Sequence, residues 1–266
     1  MAVRINGNTS NYLSRALATD FNGVGSLSLW GKISVDRDDW STFVGVASAK
    51  ALETNSTGTT LTFYDGAQNG SYALTVGTWY HLAIVQVTAT GFTWYVNGVS
   101  QGTNASGWNQ WTTLQLGRNE NYGEPLNGCI AHVKIWNQAL GAAEIAQEMY
   151  TARPQQFMGL WAWWPLFAHT DLVDYSGNGR ALTGNGTLTT EDGPPVSWGA
   201  PTLLLPWAVA SGNNIALTAN AAGATSTADA GLDVARPLTA NSAGATSTPA
   251  AALNVARPLT ANADVW

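Results

Sequence analysis

The chain has 266 residues, and only 11% of them are charged, less than half the roughly 25% of ordinary soluble domains. Three lysines and a net charge of −6 exclude a binder that works by neutralising nucleic-acid phosphates. No apolar run approaches the ~18–20 residues of a membrane helix, and one cysteine with three histidines assembles neither an internal disulfide nor a structural zinc site.

The apolar fraction of 45% is enough for a sizeable core. Thr, Asn, Ser, Gly and Ala stand where charge is missing, a mixture that favours strands and turns over long helices. The opening residues, Met1 to Asn8, have no apolar stretch of the kind a secretory signal carries. Residues 1 to about 136 then read as short strands separated by turn signals. Ser26–Ile33 alternates and places Leu27, Leu29 and Ile33 on one face. Gly77–Val87 is apolar on both faces, as a covered central strand would be. Phe92–Val96 and Val99 flank Asn97-Gly98, which supplies the two positive-φ residues of a type I′ hairpin. In Cys129–Trp136, period two predicts Cys129, Ala131, Val133 and Ile135 on one face, with Ile130, His132, Lys134 and Trp136 on the other. A short helix is predicted over Ala142–Tyr150, with Ile145 and Met149 facing the sheet, and Arg153-Pro154 ends it. Cys129 reads as a small buried side chain.

Gly77-Thr78-Trp79-Tyr80-His81-Leu82, Tyr95-Val96-Asn97-Gly98, Leu116-Gly117-Arg118-Asn119, Leu126-Asn127-Gly128-Cys129-Ile130 and Val133-Lys134-Ile135-Trp136 followed by the Glu144-Ile145 helix resemble, in order and spacing, the laminin-G-like, concanavalin-A-like lectin and glucanase jelly rolls. The likeness runs over residues 20 to 190. It implies an all-β fold: an antiparallel β-sandwich of jelly-roll type with one short helix. The Trp163-Trp164-Pro165-Leu166 and Asp174-Tyr175-Ser176-Gly177-Asn178-Gly179 stretch is similar to the segment that usually opens such a module, yet here it follows the helix. A closing edge strand of the same sandwich is the favoured reading, and a truncated second copy the other. The domain is therefore assigned residues 1–198, with a closing segment at 157–198, a linker at 199–216 and an arm at 217–266.

The arm repeats with a period of 21 residues. Leu217, Leu238 and Leu259 each open Leu-Thr-Ala-Asn, and Arg236 and Arg257 each precede proline in Val-Ala-Arg-Pro. Such units are too small to bury a face alone and need neighbours or another chain. Residues 201–266 hold five charged side chains and end on Trp266. A low-complexity tail is one reading. A repeat-bearing β arm that docks on partner subunits is favoured, since disordered segments usually carry more charge.

Chemistry for catalysis is sparse. Glucanases of the resembled fold carry a Glu-x-Asp-x-x-Glu pattern, which has no match here. Glu144 and Glu148 read as solvated helix charges, so no enzyme is expected. His81 reads as a hydrogen-bonded structural residue, His132 as outward-facing, and His169 as a loop residue near Asp171 and Asp174. Calcium is a cofactor the resemblance implies, through Asp65, Asn119 and Glu120, with Asn121 and Glu124 nearby; ordinary turn chemistry accounts for the same residues. Trp30, Trp79 and Trp94 belong to strands. Trp40, Trp108 and Trp111 lie in polar loops with Asn109 and Tyr122, the pairing of ring and amide that stacks on sugar; capping the sandwich ends explains them equally well. Two functions follow. The first is a non-catalytic virion structural or adhesion protein, a homo-oligomer anchored through its arm as capsid decoration or tail fibre, which such jelly rolls resemble in tailed-bacteriophage virions. The alternative is a carbohydrate-binding module for surface glycans. Neither a nucleic acid nor a membrane is an expected partner.

Overall fold

A computed structural model describes residues 1–17, 24–46, 50–88, 91–104, 113–119 and 123–196. The chain divides into two units, 1–202 and 203–266, and every described residue belongs to the first. Its strands are β1 (Ala2–Asn6), β2 (Tyr12–Ala16), β3 (Gly25–Ile33), β4 (Thr42–Val46), β5 (Lys50–Thr54), β6 (Thr60–Tyr64), β7 (Gln68–Ala73), β8 (Trp79–Thr88), β9 (Gly91–Val96), β10 (Val99–Asn104), β11 (Thr113–Leu116), β12 (Asn127–Trp136), β13 (Leu160–Trp164), β14 (Thr183–Asn185) and β15 (Thr189–Glu191), with one helix, α1 (Ala142–Glu148).

These strands form two antiparallel sheets, the sandwich expected from the sequence. An eight-stranded sheet runs β10-β9-β8-β3-β12-β1-β15, with β13 also pairing β12. A seven-stranded sheet runs β14-β2-β11-β4-β5-β6-β7. The closing segment thus adds strands to both sheets. Asn97 and Gly98 have φ of 49° and 74°, and β9 and β10 pair directly across them, the geometry that Asn-Gly favours.

Alternation buries one face of each sheet against the other. Leu27, Leu29 and Ile33 of β3 meet a core that includes Phe43, Val44, Leu52, Phe63, Leu114 and Leu116 of the seven-stranded sheet. The approach is close: a Cβ on Gly31 would lie 2.6 Å from the Phe43 ring. Only glycine leaves room for that ring.

Strand β12 departs from period two. Its register with β3 shifts between Ala131 and Lys134, and His132 sits there at φ 50°. This bulge inserts a residue and reverses the alternation. Cys129 and Ala131 therefore share the outer face with Trp136, whereas Ile130, Val133 and Ile135 enter the core. The expected grouping of Cys129 and Ala131 with Val133 and Ile135 is corrected by it. His132 is likewise buried, and its N–H donates to Pro165 O at 3.1 Å.

The outer face of the eight-stranded sheet is covered. Helix α1 starts at Gly141, whose N–H donates to the Glu144 carboxylate at 2.7 Å, a backbone cap of the kind that stabilises a first turn. Ile145 packs with Ala83, Val85, Tyr95, Trp136 and Leu140.

Candidate functional site

The polar side chains that suit recognition gather at one end of the seven-stranded sheet. Thr42 and Glu53 are paired across β4 and β5, next to a register irregularity between Thr42 and Val44. Side chains opposite one another on a sheet face are close enough to bond, and Thr42 Oγ1 donates to Glu53 Oε2 at 3.3 Å. The chain after β11 folds over this face. Arg118 O would lie 2.6 Å from a Cβ on Gly45, so a side chain there would displace it. This places Asn119, fully buried, with Nδ2 3.3 Å from Glu53 Oε2. Glu124 joins from the same connection: its backbone O accepts the Thr42 N–H at 3.3 Å, and its carboxyl hydrogen-bonds Glu53.

Two acids in contact within a sheltered site cannot both ionise cheaply. Burial, reinforced by the charge on Glu124, pushes the Glu53 carboxyl up to about 8. Burial also raises Glu124, and Asp39 adds to the rise, while hydrogen bonds from Glu53 and Asn119 oppose it. Near neutral pH the pair holds a proton and can both donate and accept. Among the described residues, buried Glu124 Oε2 has no hydrogen-bond partner. Half-buried Trp40 precedes Thr42 by two residues in the chain, and the Arg118 guanidinium, next to Asn119 in sequence, lies 4.7 Å over the Tyr12 ring. A hydroxyl, an amide and a shared-proton carboxyl pair thus converge. Glycoside hydrolysis needs its two carboxyls ~5–9.5 Å apart across the sugar, and these two touch.

The outer face of the other sheet is built differently. Lys134 is fully buried, and its Nζ donates to Glu148 Oε2 at 2.6 Å and to Thr151 O at 2.9 Å. Glu148 Oε1 accepts the N–H groups of Gln155 and Gln156 at 2.7 and 2.8 Å. Glu148 is therefore a buried ion-pair partner and not the solvated helix charge its spacing suggested. His81 is buried beside Trp30, their centroids 5.7 Å apart, and among the described residues both its ring nitrogens lack partners, contrary to the hydrogen-bonded role expected. Burial, then the charge on Lys134, pushes it down to about 3, so it is neutral. Cys129 is buried as expected, and burial raises its thiol to about 11.

Of the sugar-binding residues expected from the sequence, Trp40 lies at the rim just described; Trp108, Asn109, Trp111 and Tyr122 lie outside the described residues. Of the calcium set, Asn119 bonds Glu53, whereas Asp65 uses Oδ1 in the β6–β7 turn, accepting from Asn69 Nδ2 at 2.9 Å. Asp65 follows the Ala51–Tyr64 pair, and Glu53 is two residues further along β5, so the structure does not bring Asp65 and Asn119 together; Glu120 lies outside the described residues. Among the described residues no group of three His, Cys, Asp or Glu is placed to hold a metal ion. His169 Nδ1 instead meets Thr190 Oγ1 at 2.9 Å. The arm residues Leu217, Leu238, Leu259, Arg236, Arg257 and Trp266 also lie outside the described residues. Glu53 escaped the sequence reading; its signal was an acid inside the short strand Lys50-Ala51-Leu52-Glu53-Thr54.

The sequence pattern of the concanavalin A-like lectin/glucanases superfamily matches residues 6–146, just over half the chain. The chain belongs to this superfamily. No curated protein sequence matches it. Among solved structures, a Bacteroides ovatus protein proposed to bind carbohydrate superposes with a TM-score of 0.54 at 19% identity, over 74% of this chain and 62% of that one. The match therefore spans less than two thirds of that protein, and at this identity it shows shared fold. A heptameric SAP-like pentraxin from Limulus polyphemus aligns at 14% identity and TM-score 0.45, over 70% of this chain and 92% of its own. Trypanosoma rangeli sialidase aligns at 11% and 0.46, over 56% and 27%. As with other jelly rolls of the superfamily, what this one does must be argued from its site.

Proposed function

We propose that this jelly roll is a non-catalytic carbohydrate-binding domain, and that it meets glycans at the rim where half-buried Trp40 and Glu124 border the buried Thr42, Glu53 and Asn119. The observation that carries the reading is the convergence of Thr42, Asn119 and the hydrogen-bonded Glu53–Glu124 pair beside a half-buried tryptophan. Sugar hydroxyls need donors and acceptors together, and a sugar's C–H face needs a ring. Membership of a lectin and glucanase superfamily supports it. Contact between the two carboxyls supports binding over hydrolysis.

The test is a glycan microarray probed with the full chain and with its Trp40→Ala and Asn119→Ala variants. Each substitution should weaken the dissociation constant for the best-bound glycan about tenfold, the effect of losing ~1.4 kcal/mol. Retention of full affinity by both variants would move the site elsewhere, and silence across the array would refute the reading.

A second reading rests on the 21-residue repeat from Leu217 onward: residues 217–266 anchor the domain to copies of itself or to other subunits of a virion. Deleting them should lower the mass of the native particle in light scattering. An unchanged mass would rule that arm out as the means of assembly.

A further inference from the structure

The segment between β13 and β14 holds an aromatic group that neither the core nor the rim uses. Tyr175 is 47% exposed. Its ring lies 5.8 Å from Trp163, at 57°, and 6.0 Å from Phe167, at 74°. Trp163 is buried, with Nε1 unpartnered. The backbone on both sides of Tyr175 is locked by Asp174, whose Oδ1 accepts the N–H groups of Trp163 and Ser176 at 3.0 and 2.9 Å and whose Oδ2 accepts that of Arg180 at 2.9 Å. The Tyr175 N–H itself donates to Trp163 O at 2.8 Å. The turn is thus made by Asp174 and by Gly177 and Gly179, at φ 87° and 71°, and nothing in it calls for an aromatic residue between them. The Tyr175 hydroxyl donates toward both oxygens of half-buried Asp171 at 3.3 Å.

We propose that Tyr175, braced by Trp163 and Phe167 and edged by Asp171, is a second carbohydrate-stacking surface of this domain. The inference rests on the carbohydrate reading above, but it shares no residue with the rim and lies on the turn that follows β13 of the eight-stranded sheet. A pyranose presents one C–H face the size of one aromatic ring, and Tyr175 offers one such ring in a fixed position. A carboxylate has about four acceptor positions, so Asp171 can bond the tyrosine and still receive a sugar hydroxyl. Because the turn already holds the ring, binding costs little ordering entropy. A protein partner is the poorer fit: a stable protein contact covers about 800 Å² on each side, and one half-exposed ring with Val173 beside it in sequence is far smaller.

The experiment uses the full-length chain and four variants, Tyr175→Ala, Tyr175→Phe, Asp171→Asn and Trp40→Ala. Each is probed on a glycan microarray and then titrated calorimetrically with the glycan the wild type binds best. Thermal unfolding is recorded first: Tyr175→Ala loses two ring contacts and should lower the midpoint slightly while the chain stays folded, whereas Tyr175→Phe, which keeps the ring, should lower it less. Tyr175→Ala should weaken binding about tenfold. Tyr175→Phe, which keeps the ring, should stay within about threefold of wild type. Loss of binding in Tyr175→Ala with Trp40→Ala intact would uphold this surface and displace the rim. Loss in Trp40→Ala with Tyr175→Ala unchanged would overturn this surface and leave the rim standing. No glycan bound by any form would overturn both. Self-association in light scattering that Tyr175→Ala abolishes, with glycan affinity unchanged, would overturn it in favour of contact with a second copy.

Discussion

The two outer faces of this sandwich handle buried charge in opposite ways. On the eight-stranded sheet, Lys134 and Glu148 are both wholly buried, and every polar atom of the pair has a partner of suitable charge or a backbone group. On the seven-stranded sheet, Glu53 is equally buried but faces another acid. The first arrangement fastens the end of α1 and the chain after it to β12, so its polarity is consumed by the fold. The second leaves two acids sharing a proton and one oxygen unpartnered, a cost that stability alone does not account for. Carboxyls left in that condition commonly mark functional surfaces, which supports the proposal of a glycan site on the seven-stranded sheet.

The comparison breaks first at Lys134. If the pair is fully consumed by the fold, removing one partner strands a buried charge and should cost about 3–5 kcal/mol. Lys134→Ala and Glu148→Ala should each show that loss in urea unfolding. The double variant Lys134→Met with Glu148→Leu should recover most of it, since packed apolar groups replace a buried pair at little cost. A loss of ~1 kcal/mol or less in the single variants would mean that the face is open to water and the contrast false.

Much of the framework behind this contrast was legible in the chain. Alternation in Ser26–Ile33 named the core-facing residues of β3, and Asn97-Gly98 named its own turn, because both depend on neighbours in sequence. The reversal of faces in β12 was not legible, because it depends on one left-handed residue, His132, that has no glycine or asparagine to announce it. Glu148 was misjudged for a related reason: on a helix it is one acid four residues after another, and only the packing of α1 on β12 supplies Lys134. At the rim, Trp40, Asn119 and Glu124 could be singled out as loop residues of the right chemistry. Glu53 could not, since its meaning comes from cross-strand pairing with Thr42 and from a connection that folds back over Gly45.

The rim offers a sharper test through pH. The Glu53 carboxyl titrates at about 8 in the folded chain and near 4.5 when unfolded. Between these values the folded state keeps a proton that the unfolded state has released, so stability is complete below about 4.5 and declines as pH rises toward about 8. Glu53→Gln, which carries no titrating proton, should flatten that decline in urea titrations run at about pH 5 and about pH 8. A wild-type curve that rises across this window would show that the two acids are ionised and apart.

The smallest effect expected is at Glu191, on the closing strand β15, and it has the opposite sign. Burial pushes its carboxyl up, but the hydrogen bonds from Lys32 and from the Cys129 thiol, the latter at 3.2 Å, together with the charges of Lys32 and Arg4, outweigh that and hold it below the ordinary 4.5. An acid with a lowered folded value supports the fold above about 4.5, and this support is lost as pH falls through the lower value. The Glu191 side chain is 36% exposed, so water and salt screen the attraction, and Glu191→Gln should cost about 1 kcal/mol or less at neutral pH. That cost should shrink further in high salt and vanish in acid. Because ionisation of Glu53 weakens the fold as pH rises while ionised Glu191 supports it there, the two variants should depart from the wild-type stability profile in opposite directions as pH rises from acid, Glu53→Gln gaining relative to wild type and Glu191→Gln losing. If both variants lose stability relative to wild type as pH rises, the shared proton at the rim is not held by Glu53, and the distinction between a charge-paired acid and one facing another acid loses its electrostatic basis.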